Sequence, residues 1–495
     1  MSGLTIYDKS LRFNSTQNPV NHLKIFTTLL VSLFGLSFLS GCDSSSSNVD
    51  ETGYVQFINA AKNSPNIRVT YTDSDGSDIV DAIPYGSASP LRNISSGDYD
   101  MVISWQESQD EFNDIFDGDI QVTDDRVDVV LISGDFSQPD LVYFEFDRDI
   151  DSLSDDDDED QFSLQIINAN QDSTGVDVYL SRENETFNEA QLVTNSIYQQ
   201  ISDVQRYDVE SYKIYITATG SNAVVYESNT IDFNSNYQYL VVLREETGPS
   251  DSEYTVDVIT NIFTSNFPDK ESKTELRLFN GIIGHELLPE YTGVIDVNID
   301  GTEESQSIED LAIGTMSDTM IFSASDYSMD IIPNDLIEPI AENHFISLNP
   351  NDDKTVFLYL TEETEEVDDA PDETTVYVNS LIVENSNRVS LYDHEIKIIN
   401  LVQDDDFDAI EVYFVRSNET VATADYKATA SRASPRTVTL PNNTYDVSLI
   451  VQVNSSELLL DFQSITLDAD SGDKYLIIEE DVESGSGYSM QLIGQ

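Results

Sequence analysis

The chain is short of basic residues, histidine, cysteine, tryptophan and proline, and each shortage excludes something. Its 495 residues hold 23 Lys and Arg against 93 Asp and Glu, a formal charge of −70. No basic patch interrupts that charge. Such a surface repels nucleic acid and anionic lipid, so phosphate-binding roles are excluded. Four histidines, His22, His285, His344 and His394, are scattered along the chain. There is no Gly-x-Ser-x-Gly elbow, no His-Glu-x-x-His and no Walker loop. With so many carboxylates, only a chance glycosidase-like pair keeps catalysis open. A single cysteine, Cys42, excludes an intrachain disulfide. The single tryptophan, Trp105, reads as a core residue on a strand. Strict 3.6-residue periodicity is missing everywhere after Cys42, which excludes a helical bundle.

What is present is apolar and aromatic. Hydrophobic residues make up 39%, with 25 Tyr and 22 Phe, enough to build cores rich in strands. One six-residue strand is written four times, as Val55–Ala60, Leu164–Ala169, Leu276–Gly281 and Ile396–Leu401. Its second place is long and polar (Gln56, Gln165, Arg277, Lys397) and its fifth is Asn (Asn59, Asn168, Asn280, Asn400). The alternation predicts a half-buried strand, apolar toward a core and polar toward water. A Tyr that opens an apolar strand just after a turn recurs in the same register, at Tyr99, Tyr212, Tyr327 and Tyr445.

The first unit predicts strands over 54–59, 66–72, 99–105, 115–122, 127–133 and 141–147. Turn chemistry separates them, and a Pro-flanked edge segment runs from Pro84 to Ile94. The later units follow the same plan. The fold class is therefore all-β: four tandem antiparallel Ig-like β-sandwich domains after an N-terminal lipoprotein signal and tether. The predicted divisions are a signal peptide over 1–41, a lipidated Cys and Ser-rich tether over 42–52, and sandwiches over 53–150, 162–268, 269–387 and 388–495. An acidic linker, 151–161, contains six consecutive carboxylates, Asp155–Asp160, which should repel one another and extend. Residues 263–274 and 384–395 read as milder joints.

At the N-terminus, Lys9, Arg12 and Lys24 precede an apolar run that ends at Leu39, about 15 residues and short for a membrane span. The run closes in Leu39-Ser-Gly-Cys42, which resembles the lipobox of bacterial lipoproteins. The resemblance implies cleavage before Cys42 and a lipid on its sulfur, so the membrane is one partner. An uncleaved signal with an incidental Cys is the alternative. Asp43 resembles the inner-membrane retention signal of enteric bacteria, set against an outer-membrane or cell-surface location.

Asn59-Ala60 followed by Pro65, Tyr85-Gly-Ser-Ala-Ser-Pro90 and Gly97-Asp-Tyr99 resemble the bacterial family named domain of unknown function 4397, exported and repeated Ig-like β domains. The first unit carries the motif best, and the later ones keep mainly the first strand and the Tyr. The family brings no catalytic residues, so none is transferred.

Four copies at one structural place assign the Tyr to a tyrosine corner, its hydroxyl bonded to backbone. The Asn reads as an Asx-turn or left-handed residue at a strand end. Asp73, Asp75 and Asp78, and Asp404, Asp405 and Asp406, are candidate Ca²⁺ ligands, although neither group has the EF-hand spacing. No other cofactor is implied. The function expected is a non-catalytic, membrane-anchored envelope lipoprotein that presents repeated domains for adhesion or protein interaction, with an unknown protein or glycan partner. A calcium- or glycan-binding module is the alternative, and an unrecognised hydrolase the third class.

Overall fold

The computed structural model describes residues 51–495 except 73–75, 77, 109–110, 149–160, 335–337, 366–372, 404–406, 408 and 454–455. Cys42, the signal and the body of the acidic linker lie outside the described residues, as do the candidate ligands Asp73, Asp75, Asp404, Asp405 and Asp406. Asp50–Gln495 forms one compact unit.

Eight sheets pair into four sandwiches. Each has its own apolar core, around Phe57 and Tyr71 in the first, Phe162 and Tyr226 in the second, Phe322 and Met329 in the third, and Phe414 and Tyr445 in the fourth. Among the described residues the only helical turns are the 3-10 segments Phe187–Glu189 and Val421–Thr423. The repeated strand is the first of each sandwich: Thr52–Asn59, Gln161–Asn168, Lys273–Gly281 and Asp393–Asn400. In every copy it pairs in parallel with the penultimate long strand, Arg126–Ser133, Gln238–Glu245, Asp353–Glu365 or Lys474–Glu480. The other named pairings are antiparallel. The Pro84–Ile94 segment forms two short strands, Ser87–Ala88 and Arg92–Ser95, against Thr52–Asn59. The strand Asp78–Ile83 escapes the sequence reading, and Thr264–Phe267, read there as a joint, is an edge strand of the second sandwich.

The two sheets of each sandwich differ in kind. The one without the repeated strand alternates between buried and half-buried residues in the first, third and fourth sandwiches, as in Ile67–Thr72 and Ile410–Val415. The one with it is covered on both faces. Arg126–Ser133 is buried at every place after the first, and Gln161–Asn168 likewise. Sheets covered on both faces need near-continuous apolar strands. The second cover is another sandwich. Ile58, Val129 and Leu131 of the first pack with Ile167, Leu240 and Val242 of the second. Phe279 and Phe357 of the third pack with Ile399, Tyr475 and Ile477 of the fourth. The sandwiches therefore stand back to back in two blocks.

This corrects the reading of the repeat. Its polar second place does not face water: Gln56, Gln165, Arg277 and Lys397 are all buried. Gln56 Nε2 donates to Ser89 O at 2.9 Å and, across the seam, to Thr260 O of the second sandwich at 3.0 Å. Arg277 Nη2 meets both Asp353 oxygens at 2.8 Å. Lys397 Nζ, in the fourth sandwich, donates to Glu384 O at the end of the third at 2.7 Å. Burial holds the Lys397 pKa below its ordinary value. A buried polar group without a partner is costly, so the Gln56 and Lys397 bonds that cross between sandwiches fix how the seams align, while the Arg277 pair stays within the third.

Candidate functional site

The recurring residues sit where they hold each sandwich together. Tyr99, Tyr212, Tyr327 and Tyr445 donate their hydroxyls to the carbonyls of Ser95, Asp208, Ser323 and Pro441, each four residues upstream, at 2.7 to 2.9 Å. The Asn amides are buried. Asn59, Asn280 and Asn400 donate to Ile83, Leu311 and Ala430 O, at the ends of strands in the opposite sheet. Asn168, Asn280 and Asn400 accept from the N–H two residues on, closing an Asx-turn. Asn280 and Asn400 thus both tie one sheet to the other and cap their own strand, while Asn59 does only the first and Asn168 only the second.

Of the candidate calcium ligands, only Asp78 lies among the described residues. It is exposed and accepts from Thr72 Oγ1 at 2.6 Å. Among the described residues no three His, Cys, Asp or Glu side chains converge as a metal site would require. The described histidines stand apart. His285 Nε2 is 3.0 Å from Glu362, His344 Nδ1 is 3.3 Å from Ser380 Oγ, and buried His394 bridges Gly472 O and Asn442 Oδ1. Trp105 packs against Phe136 and, across to the fourth sandwich, against Tyr392. No described helix is long and apolar enough to cross a membrane.

A cavity lies where residues of all four sandwiches meet. Two further seams close the arrangement. At the first–fourth seam, Tyr392 fills the space between Trp105 and Phe136, with ring centroids 5.1 and 5.2 Å away. At the second–third seam, the Asn351 amide donates to Glu246 Oε1 at 3.1 Å, and Asn387 donates to Asn351 O at 2.8 Å. Gly248 lies directly beneath these amides: a Cβ there would sit 1.8 Å from Asn351 Oδ1. The space left between the seams is about 630 Å³, within the range of small-molecule pockets. Tyr85 of the first sandwich, Arg244 and Asn266 of the second, Asn351 of the third, and Arg388 and Glu395 beside the fourth all line it.

Its cations are already paired. Arg244 is buried, holds Asp257 through Nε at 2.8 Å and Nη2 at 3.2 Å, and lies 4.5 Å over the Tyr85 ring. Burial pushes the Tyr85 phenol up, against the pull of Arg244. Arg388 donates to Asp393 Oδ1 at 2.6 Å. Burial opposes its charge, but Asp393 and Asp473 outweigh that effect and its pKa is raised. The segment that bears Tyr85 turns at Gly86, whose φ is +70° and whose missing Cβ leaves room for the Arg244 guanidinium. No local sequence pattern announces this site, because its walls come from distant segments.

No family model matches the chain, and no curated protein matches it. Three solved structures illustrate what it is similar to. The Bacillus anthracis TIE protein is 10% identical, covering 86% of this chain and 68% of its own, with a TM-score of 0.14. The pilus adhesin SpaC from Lactobacillus rhamnosus GG, in its open conformation, is 12% identical over 67% and 40%, with a TM-score of 0.15. BcpA, the major pilin subunit of Bacillus cereus, is 10% identical over 64% and 99%, with a TM-score of 0.13.

Proposed function

We propose that this chain is a non-catalytic, surface-exposed envelope protein, anchored through a lipid on Cys42, that presents its four sandwiches as one body for adhesion or protein interaction. The observation that carries the reading is the joining of the sandwiches through their two-faced sheets, which leaves only the other sheet of each for contact. The outer face of the fourth sandwich bears Leu459 and Phe462, each 53% exposed. The strand pairing sets them beside Ile450 and Ser448. Apolar side chains grouped on an otherwise acidic surface mark a contact region. Two-faced burial also supports the reading because it spends apolar surface on rigidity between domains, which serves a presenting body and not a hinged enzyme.

The test is a pull-down from envelope extracts with the full chain as bait, with and without calcium, beside Leu459→Ser and Phe462→Ser. Capture of specific proteins that falls in both variants supports the reading. Equal capture by all three baits removes the outer face from it. Capture only in calcium transfers the role to the acidic loops. Intact-mass analysis of the membrane fraction decides the anchor separately: an unmodified Cys42, or a retained Met1 end, ends that part of the proposal.

A further inference from the structure

The central cavity differs in chemistry from the rest of the protein. The chain as a whole carries about four carboxylates for each cation. Around the cavity both arginines are matched by carboxylates, Arg244 by Asp257 and Arg388 by Asp393, and Glu246, Asp352 and Glu395 stand in the wall beside them, so no cation is left over for an anion. Six asparagines line it: Asn66, Asn229, Asn266, Asn349, Asn351 and Asn387. Between the amides lie flat apolar surfaces, from Tyr85, Phe267, Pro84, Pro268 and Pro350.

This combination selects among ligand classes. A phosphate or carboxylate ligand needs uncompensated cations, and Arg244 and Arg388 are both engaged. The polyanionic surround would further oppose an anion's approach. Asn266, Asn349, Asn351 and Asn387 already donate within the protein, but a purely apolar ligand would still strip water from the side chains of Asn66 and Asn229 and from the remaining amide edges, a cost of about 1–3 kcal/mol for each group buried. A sugar ring meets both demands. Its hydroxyl edge exchanges donor and acceptor bonds with amides, and its C–H face lies on rings and prolines.

We infer that the cavity between the four sandwiches is a binding site for a neutral saccharide. The site exists only when the sandwiches are assembled, because each contributes part of the wall. It is distinct from the outer face of the fourth sandwich, and neither proposal needs the other.

The test uses the full chain on an array of immobilised neutral hexose and N-acetylhexosamine oligosaccharides, with uronic-acid and sialylated oligosaccharides beside them. Titration with the soluble form of each neutral hit follows. Asn229→Trp and Thr247→Trp place bulk in the cavity at exposed or half-exposed positions whose side chains carry none of the seam bonds described above. The expected result is saturable binding of neutral glycans that raises the melting temperature, weakened at least tenfold in both variants and unchanged in Phe462→Ser. The melting temperature of each unliganded variant should match that of the parent. The inference is overturned by the absence of saturable binding to any neutral glycan, by preference for the acidic set, or by binding that survives both tryptophans.

Discussion

Phe357→Ala separates a chain of independent beads from a body fused through its sheets. Phe357 is fully buried, yet it is absent from the core of its own sandwich. It belongs to the seam cluster, 5.5 Å from the Phe279 ring and 5.0 Å from the Tyr475 ring of the fourth sandwich. An aromatic side chain that buries about 150–250 Å² is worth about 4–6 kcal/mol at ~25 cal/mol per Å². That is an upper estimate, because real unfolded chains already bury part of this area. Large-to-small changes at buried Phe positions cost about 3–5 kcal/mol, and 3–5 is the range expected. The assay is guanidinium unfolding followed by far-UV circular dichroism, with Phe345→Ala as the control. Phe345 is 64% exposed on the same sandwich, so its truncation should move stability by less than about 0.5 kcal/mol. If Phe357→Ala also falls within about 0.5 kcal/mol with an unchanged denaturant slope, the seam does not stabilise the protein and the reasoning fails.

Other perturbations reach other parts. Gly248→Ala would gain about 0.4–1 kcal/mol from a stiffer unfolded chain, but its Cβ would meet Asn351 Oδ1 at 1.8 Å. The clash should win by about 1–2 kcal/mol, read as a lower melting temperature. Tyr445→Phe keeps the ring and removes the bond to Pro441 O, so a loss of about 0.5–1.5 kcal/mol is expected by urea titration. The Glu479 carboxyl is pushed up to about 7 by burial; the Gln491 amide works against the rise and Asp481 adds to it. The folded state therefore holds this proton while the unfolded chain releases it near the ordinary 4.5. Stability from this group is full below about 4.5 and lost as pH rises through about 7, a swing of about 3 kcal/mol. Glu479→Gln should flatten that part of the pH–stability curve, and a curve parallel to the parent's defeats the assignment. Self-repulsion at −70 predicts that the melting temperature rises from low salt to ~0.5 M NaCl, where the screening length is about 4–5 Å; a value indifferent to salt contradicts it.

Much of the fold is legible in the sequence for a local reason. A period of two, a fixed Asn and a Tyr after a turn recur in each repeat; the Tyr makes the same bond to the carbonyl four residues upstream every time, and the Asn is buried at the same strand end. Two-faced burial is hidden in the sequence because Gln56, Gln165, Arg277 and Lys397 are polar, and polar residues at alternate places of a strand ordinarily face water. The contrary signal lay in the penultimate strands. Val129-Val-Leu-Ile132, Leu240-Val-Val-Leu243 and Leu476-Ile-Ile478 are continuous apolar runs, the mark of a strand covered on both sides. Asp78–Ile83 does not read as a strand because Asp78 and Asp81 break its apolar pattern; Asp81 is buried against Arg92. The cavity had no local trace at all. Its lining runs from Asn66 to Glu395, and only the packing of the seams brings those residues together.

The central claim is that Asp50–Gln495 is one body because its sandwiches share cores. A site-specific protease sequence inserted after Asp155 would cut the chain between the first and second sandwiches. After complete cleavage, the two pieces should elute together by size exclusion in native buffer, with the mass of the uncut protein. They should part only in denaturant, because Ile58, Val129 and Leu131 remain packed on Ile167, Leu240 and Val242. A first sandwich that elutes alone, folded and of about 100 residues, would contradict the account.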